Sequence, residues 1–396
     1  MKTPKYMLDF KCIGGICEDN CCIGWDVDID QKTFNKYKKI DNPVLKPLIQ
    51  KNLHRNPQFS DEKVDFAFVT LDRHKRCGFL TEDNLCNIQK HCGASFLSNV
   101  CSNFPRMTHS IDGRYERSAT LSCPEIARKV LQTPDAMKLV EIPDPKGYTL
   151  LTYDLKQNSR TFEGTLLKHL LKVRDACLHI FQYENESVLA IEYRLRILGE
   201  CIIELKQIEQ SGRFNKLDQT IKKYEEKLYK YALEPLMRTE IKPVDDIFVK
   251  LIHDLYDGMG VIGTTDSRRF DAYANRAKDG QATTGAMYFK TFLEGSPHVL
   301  NNYFQNHIFK ALFPFSEGKD IEEAYILLLS RYALIKSTLS ALGDAEKMLS
   351  MATVIDFLQA FSKLIEHHKR FESEMPGVLL KKGWYIKKIM DVVLIL

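Results

Sequence analysis

The stretch Phe10-Lys-Cys-Ile-Gly-Gly-Ile-Cys-Glu-Asp-Asn-Cys-Cys-Ile-Gly-Trp25 determines how the first part of this 396-residue chain folds. It places Cys12, Cys17, Cys21 and Cys22 within eleven positions, and nine of the chain's eleven cysteines lie in its first 123 residues. Thiols that serve only as small apolar side chains would be scattered along the sequence. This crowding therefore indicates either disulfides or metal ligands.

The expected compartment favours metal ligands over disulfides. The first ten residues contain no apolar run that resembles a secretory signal, and no stretch approaches the roughly 18 apolar residues that cross a membrane. We therefore expect a cytoplasmic protein without a membrane partner, whose thiols stay reduced. Nine is also an odd number for a disulfide framework.

The cysteines after Trp25 extend the array at Cys77, Cys86, Cys92, Cys101 and Cys123. Thiolates at such loop spacings can bind an iron–sulfur cluster or one or two zinc ions, and buried structural thiols are the third alternative. The cysteines that we expect to include the ligands are Cys12, Cys17, Cys21, Cys22, Cys86 and Cys101. Cys77, Cys92 and Cys123 come next.

The rest of the pattern predicts a mainly α protein, in which a cysteine-rich α+β metal-cluster domain precedes a large multi-helix domain. The first domain covers residues 1–132 and contains two candidate strands, 64–70 and 115–121. Residues 133–148 are rich in proline and form the predicted linker. Apolar residues repeat at helical spacing through 149–396, which indicates seven or so helices.

Two local patterns refine these boundaries. Ser122 and Glu125 have the spacing of a capping box, and Pro124 suits a first helical turn, so a helix is expected to start there. In the candidate strand 64–70, Val64, Phe66 and Phe68 alternate and predict one buried face.

The charge balance argues against a nucleic-acid partner. The chain has 56 basic and 52 acidic residues, a net charge of +4, so it lacks the basic surface that holds a polyanion. Residues 73–76 and 381–388 mix cations with aromatic side chains, but both segments are short and are expected to be solvated faces.

The cysteine motifs resemble those of the flagellin lysine-N-methylase family. The matching segments are Phe10-Lys-Cys12, Cys17-Glu-Asp-Asn-Cys21-Cys22-x-Gly24-Trp25, Cys77-x-Phe-Leu80, Cys86-x-Ile88, Cys101-x-x-Phe-Pro-Arg106 and Ser122-Cys-Pro-Glu125. The front half also resembles a wider group of zinc- or iron-chelating domains, although Asn99-Val100 replace the arginine-proline pair typical of that group. In the second half the segments with the look of the family are Asn302–Asn306, 312–315, 331–336 and 365–367.

This resemblance implies a cytoplasmic enzyme that carries a [4Fe-4S] cluster, with zinc as the alternative metal. It implies methyl transfer from S-adenosylmethionine to lysines of flagellin, which would be the protein partner. The competing hypothesis is a non-enzymatic metal-binding or redox-sensing module with a helical partner-binding domain.

Methyl transfer to lysine sets chemical requirements that suggest candidate residues. The ammonium must lose its proton and approach the sulfonium methyl group in line, in a pocket where hydroxyls orient the amine and carboxylates attract it. Tyr303, Tyr325, Tyr332 and Glu366 lie on predicted helices and are our candidate catalytic residues. The alternative is that the tyrosines belong to the core and Glu366 to a solvated face.

One glycine motif does not locate the donor. Gly258-Met-Gly260-Val-Ile-Gly263 matches a nucleotide-binding pattern, but it follows a predicted helix where that pattern requires a strand. We expect it to end the helix, so the sequence leaves the S-adenosylmethionine site unassigned.

Overall fold

The computed structural model describes residues 1–145, 149–182, 190–233, 246–260, 268–276, 280–366 and 368–394. These residues form a mainly helical protein with two small sheets near the N-terminus, which confirms the predicted fold class at this level. Gly263 and His367 of the motifs quoted above, and part of the predicted linker, lie outside the described residues.

Eight short strands build the two sheets in the described part of the chain. They are β1 (Lys2–Pro4), β2 (Val27–Ile29), β3 (Leu53–Arg55), β4 (Ala67–Val69), β5 (Arg106–Ile111), β6 (Arg114–Ala119), β7 (Leu139–Glu141) and β8 (Tyr153–Leu155). One sheet has the order β7-β1-β6-β5-β8, and the other has the order β2-β4-β3. β5 and β6 form a hairpin whose turn residues, Asp112 and Gly113, both have positive φ, as a two-residue turn that matches the twist of the strands requires.

Short helices accompany the strands. They are α1 (Gln31–Tyr37), α2 (Leu45–Asn52), α3 (Asn87–Cys92), α4 (Asn99–Asn103) and α5 (Pro124–Gln132). The described helices of the larger part are α6 (Leu170–Gln182), α7 (Ile191–Ser211), α8 (Leu217–Leu233), α9 (Asp246–Met259), α10 (Arg268–Arg276), α11 (Ala282–Gly295), α12 (His298–Lys310), α13 (Ile321–Glu346), α14 (Met351–Glu366), α15 (Lys369–Lys381) and α16 (Ile386–Val393).

The buried apolar side chains form two main cores. One core fills the cysteine-rich region between β2, β4 and the helices α1–α3, and the partly buried Cys22, Cys86 and Cys101 pack against it. The other core joins the helices α5–α16 to Tyr6, Phe10 and the end of β6. The first ten residues and the β5–β6 hairpin therefore belong with the helices rather than with the cysteine-rich core.

Helix α13 is the centre of the larger core. It is long and apolar enough to cross a membrane, but 78% of its most apolar window is buried inside the protein, as in the core helix of a globular fold. Gly199 of α7 makes room for it, since a Cβ at that position would lie 2.4 Å from the Tyr325 hydroxyl oxygen.

Several sequence expectations need correction. The predicted linker contributes β7, which pairs with β1, and the next segment contributes β8. The described part of the larger region has eleven helices rather than seven. Cys123 rather than Ser122 is the N-cap of α5, with Pro124 in its first turn, and no side chain caps that helix.

The predicted strand 64–70 is shorter than expected, since β4 covers only Ala67–Val69. It also buries the opposite face from the one predicted. β4 buries Ala67 and Val69, whereas Phe68 is 38% exposed and its ring lies 5.6 Å from that of His54 on β3. Phe66 is buried, but it precedes the strand. The contact between the Phe68 and His54 rings explains why an apolar residue occupies this solvent-facing position of the strand.

Candidate functional site

Five cysteines of the N-terminal region lie close enough to affect one another electrostatically, and we call them the cysteine assembly: Cys21, Cys22, Cys77, Cys86 and Cys101. The backbone N–H of Cys77 donates to the carbonyl of Cys22 at 2.8 Å. A β-bridge between Leu80 and Cys86 brings Cys86 back towards Cys77.

Helix α4 positions the fifth cysteine. The hydroxyl of Ser98, the N-cap of α4, accepts from the backbone N–H of Cys101 at 3.2 Å and donates to the carbonyl of Asp28 at 3.1 Å. This cap fixes Cys101 in the first helical turn beside β2.

The thiols of the cysteine assembly interact electrostatically. Burial raises the pKa of Cys77 and of Cys101 to about 12, and the neighbouring thiols, when ionised, add to the rise. Cys21 is the exception, because the hydrogen bond from the Cys22 thiol lowers its pKa. Cys21 is also exposed, so it is the member of the assembly best placed to ionise first.

The other cysteines lie around or away from this assembly. Burial raises the pKa of Cys17 and of Cys123, and a nearby Cys21 thiolate adds to both rises. Burial lowers the pKa of Arg106, and thiolates at Cys12 and Cys123 would oppose that shift. Cys92 packs against the cysteine-rich core. Cys177 and Cys201 are buried among the helices, as their apolar neighbours in the sequence predict.

The donor chemistry of the assembly suits a metal that prefers thiolates, since clustered cysteines are the ligands of zinc and iron–sulfur centres. Its side-chain arrangement does not present a ready coordination shell. Among the residues that the structure describes, no group of three or more His, Cys, Asp or Glu side chains is placed to hold a metal ion.

A second polar site lies between α12, α13 and α14, and we call it the polar cavity. It has a volume of about 10 Å³, which is space for a single water molecule. Its polar lining includes Tyr303, Asn306, His307, Lys310, Arg331 and Glu366.

Glu366 joins the polar cavity to the end of β6. Its carboxylate accepts from the Lys310 ammonium at 2.5 Å, from the Ser122 hydroxyl at 3.0 Å and from the Thr120 hydroxyl. Its side chain is 23% exposed, whereas that of Lys310 is 8% exposed. The carboxylate therefore stands at the rim of the cavity with the ammonium behind it.

The other side of the polar cavity is a buried ion pair. Both terminal nitrogens of Arg331 donate to the carboxylate of Glu317 at 2.9 Å, and His307 Nε2 lies 3.3 Å from Glu317 Oε2. Burial alone would raise the pKa of Glu317, but the Arg331 guanidinium and His307 hold it well below its usual range. Burial lowers the pKa of His307, which favours a neutral ring.

Two of the four predicted catalytic residues meet at this cavity and two do not. Tyr303 and Glu366 both line it. Tyr325 donates to the carbonyl of Leu195 at 2.6 Å, and Tyr332 donates to the Glu192 carboxylate. Both tyrosines are fully buried, and burial raises the pKa of each well above its ordinary value.

The polar cavity is linked to the cysteine-rich region through α14. Lys363 Nζ donates to Asp19 Oδ1 at 2.6 Å and to the carbonyl of Ile23 at 3.0 Å. Gln359 Nε2 donates to Asp19 Oδ2 and to the carbonyl of Ser122, both at 2.8 Å. Helix α14 thus binds Asp19, which lies between Cys17 and Cys21 in the sequence. The same helix ends at Glu366.

Sequence reasoning missed Lys310, His307, Glu317 and Arg331. A signal was present for two of them, because Lys310 and Arg331 each interrupt an apolar helical run. Charged residues inside such runs are rarely buried unless they are paired. Their partners were not predictable, since Glu317 lies in the turn between α12 and α13 and Glu366 lies at the end of α14.

The chain is similar to known proteins over much of its length. The family described as the FliB lysine N-methylase C-terminal domain matches residues 174–387, which are 214 of the 396 residues. The flagellar biosynthetic protein FliU of Salmonella muenchen is 34% identical over 142 residues, covering 35% of this chain and 80% of that protein. No solved structure matches the chain.

Two longer relatives are named lysine-N-methylase, one from Salmonella choleraesuis (strain SC-B67) and one from Salmonella typhimurium (strain LT2). Each is 29% identical over 241 residues, which are 59% of this chain and 53% of the relative. The chain therefore spans about half the length of these two relatives. The family match begins at residue 174 and leaves the cysteine-rich region outside it.

Proposed function

This chain belongs to the family of the FliB lysine N-methylase C-terminal domain, and we propose that it is a protein-lysine N-methyltransferase that uses S-adenosylmethionine. The observation that carries this proposal is the family match over 174–387. The match confirms the family resemblance and covers its second-half segments, whereas the cysteine-rich metal-binding domain stays a prediction. Because the described relatives are a lysine-N-methylase and a flagellar biosynthetic protein, we propose flagellin as the substrate.

The reaction is a displacement at a methyl carbon. The neutral amine of the target lysine attacks the sulfonium methyl group, a nitrogen–carbon bond forms and the carbon–sulfur bond breaks. The products are methyl-lysine and S-adenosylhomocysteine, and the amine loses one proton to solvent or to a base. Because the lysine pKa is near 10.4 in water, desolvation or a nearby carboxylate must favour the neutral amine.

The roles predicted for Tyr303 and Glu366 stay predictions that mutagenesis can test. A cavity of about 10 Å³ is too small for a lysine side chain, and the Lys310 ammonium already occupies the position opposite Glu366. A substrate lysine would reach Glu366 only from its solvent side. Tyr325 and Tyr332 have less support, since backbone and carboxylate partners elsewhere in the core bind their hydroxyls.

We also propose that the cysteine assembly, with Cys17 and Cys123 beside it, supplies the ligands of a [4Fe-4S] cluster. Support comes from the convergence of thiols from four separate chain segments. A bound cluster would brace the cysteine-rich region, and no step of methyl transfer is assigned to it. We propose a cytoplasmic location, where such thiols stay reduced.

The activity is tested by incubating the anaerobically purified full chain with purified flagellin and S-adenosylmethionine that carries an isotopically labelled methyl group. Methyl-lysine is then identified by mass spectrometry of flagellin peptides. The control substrate is the same flagellin after chemical acetylation of its lysines, which converts each acceptor amine into an amide that cannot attack the methyl group.

We expect label in native flagellin and none in the blocked protein. Absence of label from a folded, metal-loaded chain would contradict the proposal. Methyl transfer that survives loss of the metal would separate the enzymatic role from the proposed cluster.

A further inference from the structure

A large cleft lies on the side of α12 that faces away from the polar cavity, and we call it the α12 cleft. It has a volume of about 780 Å³, within the roughly 300–1,000 Å³ typical of small-molecule sites. It is bounded by β1, the segment before β7, the end of α6, the start of α7 and the start of α12. Resting on the proposed function, we propose that the α12 cleft binds the methyl donor, a nucleoside that carries a carboxylate and an ammonium group.

Two buried acceptors lie in the lining of the cleft. Asn301 Oδ1 and His298 Nε2 are buried atoms without a hydrogen-bond partner in the described part of the chain. Burial lowers the pKa of His298, while the backbone of Gln132 and Leu131 beside the ring opposes that shift. The neutral ring therefore presents Nε2 as an acceptor. Buried acceptors are costly to leave unpaired, and a ligand with hydroxyl or amino donors would satisfy both.

Cations line the cleft. Arg194 is 5% exposed, and although burial lowers its pKa to about 10, its guanidinium remains cationic at neutral pH. Its Nη1 donates to the carbonyl of Ile180 at 2.6 Å, which holds it beside the end of α6. Lys2 and Lys138 also line the cleft, and Asp135, the one carboxylate among the described lining residues, is paired with Lys5. This excess of cations suits a ligand carboxylate.

The cleft also has apolar walls. Phe181 and Met137 are buried apolar side chains of the lining, and Pro134 and Pro297 add rigid apolar surface. A planar base has matching apolar faces. The cleft is thus large enough for a nucleoside and combines apolar walls, acceptors and cations, whereas the polar cavity has space for about one water molecule.

Helix α12 separates the two sites. His298, Asn301 and Gln305 lie along one side of it, whereas Tyr303, His307 and Lys310 lie along the other. An α-helix with its side chains is roughly 10 Å across, so a donor in the cleft does not reach Glu366. Under this assignment the reacting methyl group lies on the cleft side, and Glu366 is a positioning residue that acts on α12 through Lys310. The assignment is therefore an alternative to the catalytic roles predicted for Glu366 and Tyr303.

The test is isothermal titration of the full chain with S-adenosylmethionine, in three variants and the wild type. We expect Asn301→Leu to raise the dissociation constant about tenfold, because the ligand donor loses its acceptor. Glu366→Gln should change it less than about twofold. Lys381→Glu is the matched surface control, since Lys381 is exposed and distant from the cleft lining. Thermal unfolding verifies that each variant is folded.

Photocrosslinking gives a readout that does not depend on affinity. Ultraviolet irradiation of the full chain with S-adenosylmethionine, followed by peptide mapping, should label segments 134–139, 181–182 or 297–305. A folded Asn301→Leu variant that binds normally, with Glu366→Gln weakened instead, would overturn the site assignment and leave the proposed function standing. A wild-type chain that binds no donor would overturn both.

Discussion

The ion pair of Arg331 and Glu317 shows how single residues hold the helices around the polar cavity. The side chains are 3% and 9% exposed, and the two hydrogen bonds between them are parallel and equal in length. Removing one partner of such a pair leaves a buried charge uncompensated, which costs more than the net contribution of the pair. His307, on α12, extends the network to a third element.

We predict that Glu317→Gln lowers the free energy of unfolding at neutral pH by about 3–5 kcal/mol. The loss should depend on pH in a defined direction. The folded-state pKa of Glu317 is held below its usual range, whereas the unfolded chain has an ordinary glutamate with a pKa of about 4.3. The stabilisation is therefore complete above that ordinary pKa and is lost as the pH falls through the folded-state pKa.

Chemical unfolding of wild type and Glu317→Gln, followed by circular dichroism from neutral pH down to about pH 3, measures this difference. The difference in the free energy of unfolding between the two proteins should be largest at neutral pH and should decrease in acid. Glu225→Gln is the control, since Glu225 is exposed on α8. An equal gap at every pH would contradict the assignment of the effect to this carboxylate.

At this scale, sequence reasoning found residues but not their partners. It selected Tyr303 and Glu366, which line one cavity, together with Tyr325 and Tyr332, which do not. All three tyrosines occur at helical spacing among apolar residues, and what distinguishes them is where each hydroxyl is bound. Leu195 and Glu192, which bind two of those hydroxyls, lie more than a hundred positions away in the sequence.

Helix α14 connects the two candidate sites, because it contacts the cysteine-rich region and lines the polar cavity. Its Lys363 is 13% exposed, pairs with Asp19 and lies 4.6 Å from the centre of the Trp25 ring. Asp19 belongs to the cysteine motif that opens the chain. The motif therefore packs on α14 through the mostly buried ion pair of Asp19 and Lys363. This contact is separate from the metal ligands that the motif is proposed to provide.

We predict that Lys363→Met lowers the free energy of unfolding by about 3 kcal/mol, since it leaves the buried Asp19 carboxylate without its closest cation. It should also speed the reaction of Cys17 and Cys21 with a thiol reagent, because their loop is no longer held. Lys46→Met is the control, as its ion pair with Asp41 is exposed and should contribute less than about 1 kcal/mol. Unchanged thiol reactivity in folded Lys363→Met would show that α14 does not anchor the loop.

The helices were the most predictable elements, because each repeats apolar residues along one face. Their ends were less so. Apolar residues keep helical spacing through 350–371, but the structure has two helices there, since His368 accepts from the backbone N–H of Phe371 and caps α15. The sequence signal for this break is weak, because histidine is not a common N-cap.

For the whole molecule, the two cores differ in how they are stabilised. The helical core buries large side chains from α5 to α16, whereas the cysteine-rich core is small and has five thiols in or against it. Small cores without large apolar burial often depend on metals or disulfides. Composition and cysteine spacing predict a cysteine-rich domain over 1–132, and that boundary stays a prediction. They did not predict that the N-terminal strand and the β5–β6 hairpin join the helical side.

We therefore predict that the anaerobically purified chain contains about four irons and absorbs broadly near 400 nm. Cys21→Ser and Cys101→Ser should lose this metal and unfold at lower temperature, because metal binding contributes directly to the stability of such a region. Cys201→Ala is the control, since Cys201 lies in the helical core and should leave the metal content unchanged. Iron, sulfide and zinc analysis decides the outcome. A colourless protein that holds only zinc would contradict the cluster, and metal content unaffected by loss of Cys21 and Cys101 would contradict the proposed ligand group.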